Sequence, residues 1–159
     1  MKSPKAKIVT PDEATKRLEA LCVKSEHCTY ELRQKLWKWN ISPPDADRIM
    51  KHLTSKRFVD DMRFAKSYIH DKVSFDRWGP KKIKVGLMSK RIDRDVINEC
   101  LRDLDPDVLE KNLYSLLLSK ASKMTDAKTY EGRTKLFRYG VSRGYDSEMI
   151  SRILRTSFV

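Results

Sequence analysis

Apolar residues recur along the chain at steps of three and four, and a strand-like alternation of apolar and polar positions occurs nowhere. That period belongs to helices with one buried face. Ala14, Leu18, Leu21 and Cys22 form one such face, Leu32, Leu36 and Trp39 a second, and Ala46, Ile49, Met50 and Leu53 a third. The middle of the chain repeats the pattern with Phe64, Ala65, Tyr68 and Ile69, with Ile83 and Leu87, and with Val96, Ile97, Cys100, Leu101 and Leu104. The last third does so with Leu109, Leu113, Leu116 and Leu117, with Tyr130, Leu136 and Phe137, and with Met149, Ile150, Ile153 and Leu154. Start signals precede these runs: Thr10-Pro11-Asp12-Glu13, a start near Thr29, Ser42-Pro43, Asp60 or Asp61, Gly79-Pro80, Asp93, Asp105-Pro106, Asp126, and Asp146 or Ser147. The pattern predicts nine helices, with a loop over 73–79.

The nine fall into three sets of three. Lys35-Leu36-Trp37-Lys38-Trp39-Asn40-Ile41-Ser42 lies over Lys135-Leu136-Phe137-Arg138-Tyr139-Gly140-Val141-Ser142, and every position matches in kind. In the middle copy Ala14 corresponds to Ala65, Leu18 to Ile69, His27 to Trp78, Leu32 to Ile83, Leu36 to Leu87 and Ile41 to Ile92. The third helices align Ile49 and Leu53 with Ile97 and Leu101, and with Ile150 and Leu154. The expected fold is all-α: three tandem three-helix repeats, over 10–57, 58–104 and 105–159, forming an elongated, curved array behind a disordered basic arm at 1–9. Asn40, Arg91 and Gly140 stand where each second helix ends. Glycine and asparagine accept the left-handed conformation there. Arg91 does so at a cost of about 1 kcal/mol, so the middle turn is expected to differ.

Charge adds a partner to this picture. The chain of 159 residues has a net charge of +12. The excess is spread as +6 over 1–57, +2 over 58–105 and +4 over 106–159, so it is not a basic tail. A folded protein of this kind meets a polyanion or an acidic protein surface. No apolar run has the length of a signal peptide or a membrane span, and three cysteines without CxxC spacing suit a reducing compartment; a cytoplasmic protein is expected. Cys22 and Cys100 read as small core residues.

The residues that carry chemistry are cations. Arg33, Lys35 and Lys38 sit among Trp37 and Trp39; Arg77, Lys81, Lys82 and Lys84 surround Trp78 and the inward Ile83; Arg138 and Arg143 follow in the last repeat. Lysines at the start of a helix suit phosphates or an acidic groove, against the plainer reading of a solvated face. Trp37 suits packing between repeats or stacking on a base, with packing the stronger reading. Asp60 and Asp61 read as helix caps rather than an acid–base pair. His27, His52 and His70 are scattered, and no nucleophile–base set, metal set or phosphate loop stands out. No catalysis and no metal are expected. A protein of helix-turn-helix-like modules binding DNA by itself is the alternative.

The run Phe58-Val59-Asp60-Asp61-Met62-Arg63-Phe64-Ala65, with Arg77, Gly79, Leu87 and Ile92 after it, resembles the central repeat of the RecX family, regulatory proteins of bacterial RecA recombinase. Tyr30-Glu31-Leu32-Arg33-Gln34-Lys35-Leu36 is similar to the family's E-L-R-x-K-L helix. The resemblance spans about residues 12–157, with Arg91 in place of the usual glycine. It implies three tandem three-helix repeats that bind along the groove of the RecA–DNA filament and restrain its ATP hydrolysis, strand exchange and co-protease activity. The implied partner is RecA, with single- or double-stranded DNA bound weakly or through it, by a monomer without cofactor. Arg33, Lys35, Lys38, Arg77, Lys81, Lys82, Lys84, Arg138 and Arg143 are the expected contacts, and Asp60, Asp61, Phe64, Ala65 and Gly79 the structural motif of the middle repeat.

Overall fold

The structure is a computed structural model and describes residues 7–158. Among these residues there are nine helices and no strands: α1 (Pro11–Lys24), α2 (Thr29–Lys38), α3 (Pro43–Ser55), α4 (Asp61–Ser74), α5 (Pro80–Ser89), α6 (Arg94–Arg102), α7 (Pro106–Ala121), α8 (Tyr130–Ser142) and α9 (Ser147–Ser157). Short polar side chains start most of them. Thr10, Ser42, Asp93, Asp105, Thr129 and Asp146 each accept a backbone N–H from the first turn that would otherwise lack a partner. The expected basic arm falls mostly on residues 1–6, outside the described residues. Val9, just before the cap of α1, is half-buried against the first core, the position of a hydrophobic staple.

The chain divides into two compact units, one of residues 1–64 with 90–92, the other of 65–89 with 93–159. In the first, α3 packs on both α1 and α2. Its core is Ala14, Leu18, Leu32, Leu36, Ile41, Ile49, Met50, Leu53 and Val59, with Trp39 partly buried against it. In the second, α5 packs on α6, and α7, α8 and α9 pack on one another. Leu113, Leu117, Leu136 and Ile150 are wholly buried there.

Three details differ from the periodicity reading, and they share a cause. The helix expected from Asp126 starts at Tyr130, capped by Thr129, and Tyr130 is 83 % exposed. That helix also runs later than expected. Gly140 is buried inside it with Ile150 across from it, and the left-handed turn falls on Gly144, at φ 94°. The counterparts of Asn40 (φ 55°) and Arg91 (φ 53°) are therefore Gly144, not Gly140, and the buried residue that follows the turn, as Ile41 and Ile92 follow theirs, is Tyr145 rather than Val141. The caps Ser42, Asp93 and Asp146 likewise bring Ala46, Ile97 and Ile150 into register, one turn from the alignment on Ile49. A slip of one helical turn keeps every apolar residue on the same face, so periodicity alone does not detect it. Arg91 does adopt the left-handed conformation, as do Arg57 and Arg77, so the middle turn matches the first. The loop expected over 73–79 is shorter, since α4 runs to Ser74.

In the second unit two stretches of backbone meet directly. The Gly79 N–H donates to Arg143 O at 2.8 Å and the Lys81 N–H to Gly144 O at 3.0 Å. The Tyr145 hydroxyl donates to Arg77 O at 2.7 Å, and the Arg143 guanidinium to Asp76 O at 2.7 Å. A Cβ at Gly79 would overlap the Gly144 carbonyl, which is backbone and cannot swing aside. Tyr145 is 1 % exposed, and its burial pushes the phenol far above its ordinary pKa, so it stays a donor. We expect Gly79→Ala to cost about 1–3 kcal/mol through this overlap. Chemical denaturation of the two proteins measures it, and equal stability would mean that the contact is not tight.

Candidate functional site

The paired carboxylates behave as caps, on two different helices. Asp60 accepts the Arg63 N–H at 3.1 Å and so closes the start of α4. Asp61 instead accepts the Thr29 N–H at 2.8 Å and the Thr29 hydroxyl at 3.0 Å, which places its charge at the positive end of α2. Arg63, next along, binds Glu26 at 2.5 Å and the carbonyls of Arg57 and Phe58 at 3.2 Å. Phe64 and Ala65 are buried. The motif thus ties the loop before α2 to the start of α4, and neither carboxylate is left for acid–base work.

A second node lies beside it. Glu31 holds the Lys90 ammonium at 2.9 Å and the His27 ring at 3.1 Å, and it reaches back to the Cys28 N–H. Partial burial opposes ionisation of Glu31, but Lys90 above all, with His27 and the Cys28 N–H, outweighs it and holds the carboxyl below its ordinary value. The Arg91 guanidinium lies 4.7 Å over the Tyr30 ring. Burial pushes the thiols of Cys22, Cys28 and Cys100 up, so all three stay protonated at neutral pH. No group of His, Cys, Asp and Glu among the described residues is arranged to hold a metal ion. No helix among them is long and apolar enough to cross a membrane.

The expected contact residues separate by what already engages them. In the first unit Arg33 pairs with Asp47 at 2.9 Å, while Lys35 and Lys38 form no ion pair among the described residues. Trp37 is 78 % exposed and so is not packed as expected. In the second unit Arg77 donates to the Ser115 hydroxyl at 3.1 Å, and Arg143 serves the backbone junction already described. Lys82 and Lys72 both place their ammonium groups over Trp78, at 4.5 and 4.4 Å from the ring centre. Lys81, Lys84 and Arg138 form no ion pair among the described residues and face outward or are half-exposed.

On α5 the two free lysines continue into Val85, 67 % exposed, and Met88, 49 % exposed. The spacing 81, 84, 85, 88 puts all four on one helical face. Opposite, Ile83 and Leu87 are wholly buried, and Gly79 at the start of the helix is pinned by the backbone junction. The face is therefore rigid, cationic at one end and apolar at the other. Sequence reasoning picked out its lysines but not Val85 and Met88, nor Lys72, Gly144 and Tyr145, which brace the surface behind it. The signal for the last two was available, since a glycine two residues before a capping aspartate marks a left-handed turn.

The fold is an array of tandem three-helix units. A family model described as "RecX, second three-helix domain" matches residues 60–101. A protein named regulatory protein RecX from Clostridium botulinum (strain Alaska E43 / Type E3) is 28 % identical, with 96 % of this chain and 74 % of that protein aligned. One of the same name from Clostridium tetani is 32 % identical over 82 % of this chain, but over only 59 % of its own length. The crystal structure of RecX from Lactobacillus salivarius superposes with a TM-score of 0.82 at 18 % identity, covering 91 % of this chain and 94 % of that one. The chain is thus similar in sequence and in fold to proteins named RecX, and its middle three-helix segment matches the RecX model.

The depressed Glu31 carboxyl has a measurable consequence. A group whose pKa is lowered by folding contributes stability above its unfolded value and loses it as the pH falls through the folded one. Glu31→Gln should lower stability at pH 7 by less than about 1 kcal/mol, because the site is half open to water. The difference from the parent protein should then vanish as the pH drops below the ordinary glutamate value of 4.5. Thermal melts across that range check it, and a constant difference at all pH values would assign the effect to packing.

Proposed function

We propose that the protein is a RecX-type regulator of RecA recombinase, which it restrains by binding in the groove of the RecA–DNA filament. In this reading the three repeats, 10–57, 58–104 and 105–159, present successive contact surfaces to neighbouring RecA subunits. Bridging those subunits hinders the motions that ATP turnover, strand exchange and co-protease activity require. The protein acts as a monomer and needs no cofactor.

The observation that carries this reading is the outer face of α5. Lys81 and Lys84 beside Val85 and Met88 suit a protein surface that offers carboxylates next to an apolar patch. Phosphates alone would leave the two apolar residues unused. Lys35 and Lys38, with the exposed Trp37, offer a similar mixture on α2. Arg33, Arg77, Lys82 and Arg143 contribute charge, though each is already engaged inside its own unit.

The test is RecA's DNA-dependent ATPase, titrated with the full chain. The parent protein should slow hydrolysis. Lys81→Glu/Lys84→Glu spares the Lys82–Trp78 contact, so it should fold normally. Setting two like charges against an acidic surface costs several kcal/mol, so it should require at least about ten-fold more protein for the same inhibition. Val85→Ser/Met88→Ser should weaken inhibition too. Undiminished inhibition by both folded variants would remove this face from the interface.

A further inference from the structure

One kind of junction occurs in both compact units. The left-handed turn that ends one second helix settles on the start of the preceding second helix. In the first unit the turn at Arg91, which follows α5, rests on the start of α2. Lys90 binds Glu31 at 2.9 Å, the Lys90 carbonyl accepts from the Cys28 thiol at 3.8 Å, and the Arg91 guanidinium lies 4.7 Å over the Tyr30 ring. In the second unit the turn at Gly144, which follows α8, rests on the start of α5, where the Gly79 and Lys81 N–H groups donate to the Arg143 and Gly144 carbonyls. One half of each kind stays uncovered among the described residues. The start of α8 carries Tyr130-Glu131, one hundred positions after Tyr30-Glu31 and in register with it on the match of Lys35–Ser42 to Lys135–Ser142. Tyr30 and Glu31 are half-buried, whereas Tyr130 is 83 % exposed and Glu131 is exposed, with no ion pair among the described residues. The opposite half is the turn at Asn40, φ 55°, which is exposed beside Lys38.

We propose that these two halves meet between molecules: the Asn40 turn of one copy rests on the Tyr130 end of α8 in a second copy, as the Arg91 turn rests on α2. The occupant is a second copy because one chain carries both halves of a junction that it already makes twice within itself. Charge agrees, since Glu131 is an open carboxylate and Lys35 and Lys38, beside the turn, are cations without an ion pair among the described residues. The contact joins two different surfaces, so a third copy adds to the free end of a pair. It is also small. A few residues on each side fall far short of the roughly 20–30 a side of a stable interface, and two cationic chains repel each other until salt screens them. The chain is therefore a monomer when dilute, as the proposed function has it, and the contact forms where copies are concentrated.

The junction is separate from the α5 face, and its test contains no RecA, so either idea can fail alone. Sedimentation equilibrium of the full chain at moderate salt, from dilute to near-millimolar protein, reads the association. The weight-average mass should rise with concentration and pass that of two chains. Asn40→Arg gives this turn the residue that Arg91 brings to Tyr30, and Arg57, Arg77 and Arg91 show that arginine is accepted at such a backbone angle. It should tighten association about two- to five-fold by stacking on Tyr130 of the next copy. Tyr130→Ala should weaken the parent association and cancel the gain from Asn40→Arg; the ring is exposed, so thermal melts should show an unchanged fold. Glu131→Lys should weaken association as well. A parent mass that stays at one chain throughout would overturn the proposal. So would a mass that levels off at two chains, the mark of a symmetric contact, or a gain from Asn40→Arg that survives Tyr130→Ala.

Discussion

Nine short helices among the described residues, none of them beyond sixteen residues, depend on having their amino ends closed. Helices of this length are marginal in water, and each leaves several N–H groups without a partner. Closing most of these ends takes one side chain within the same segment. The Asp60–Asp61 pair does something else: two adjacent carboxylates close two helices that are distant in sequence, α4 and α2. A capping interaction, normally local, becomes tertiary there. Removing Asp61 would therefore expose the start of α2 and release the beginning of α4 from it in one step.

The second unit uses backbone where the first uses side chains. Gly79 and Gly144 approach so closely that amide and carbonyl groups bond across the gap, and Tyr145 seals the junction with its hydroxyl on Arg77 O. This fixes the start of α5, and with it the direction in which Lys81, Lys84, Val85 and Met88 face. The exposed face of that helix is thus set by contacts on its buried side.

Much of this was legible in the sequence. The helical class, the cap residues Thr10, Ser42, Asp60, Asp93, Asp105 and Asp146, and the buried stripes of α1 to α3 all follow from local chemistry. What periodicity does not record is phase along the helix axis: the match of Lys35–Ser42 to Lys135–Ser142 is real, yet the turns it aligns lie one helical turn apart. Trp37 misled for another reason, because a large aromatic residue carries no mark in the sequence of whether a neighbour covers it. The basic residues were legible as a class, but not their division into engaged and open ones. Arg143 is bound to a carbonyl and Lys82 to a ring, whereas Lys81 and Lys84 are not, and only packing decides that.

Arg57, Arg77 and Arg91 all hold left-handed backbone, where glycine would cost less. Arginine keeps something glycine lacks: a positive charge, which near the carboxyl end of a helix is favourable. Arg77 and Arg91 also have their guanidinium groups already seated, on Ser115 and over Tyr30. Such a cation has surrendered its conformational freedom during folding. A partner that docks beside it has little flexibility left to quench, so recognition there draws on a mould rather than on a set of mobile tethers.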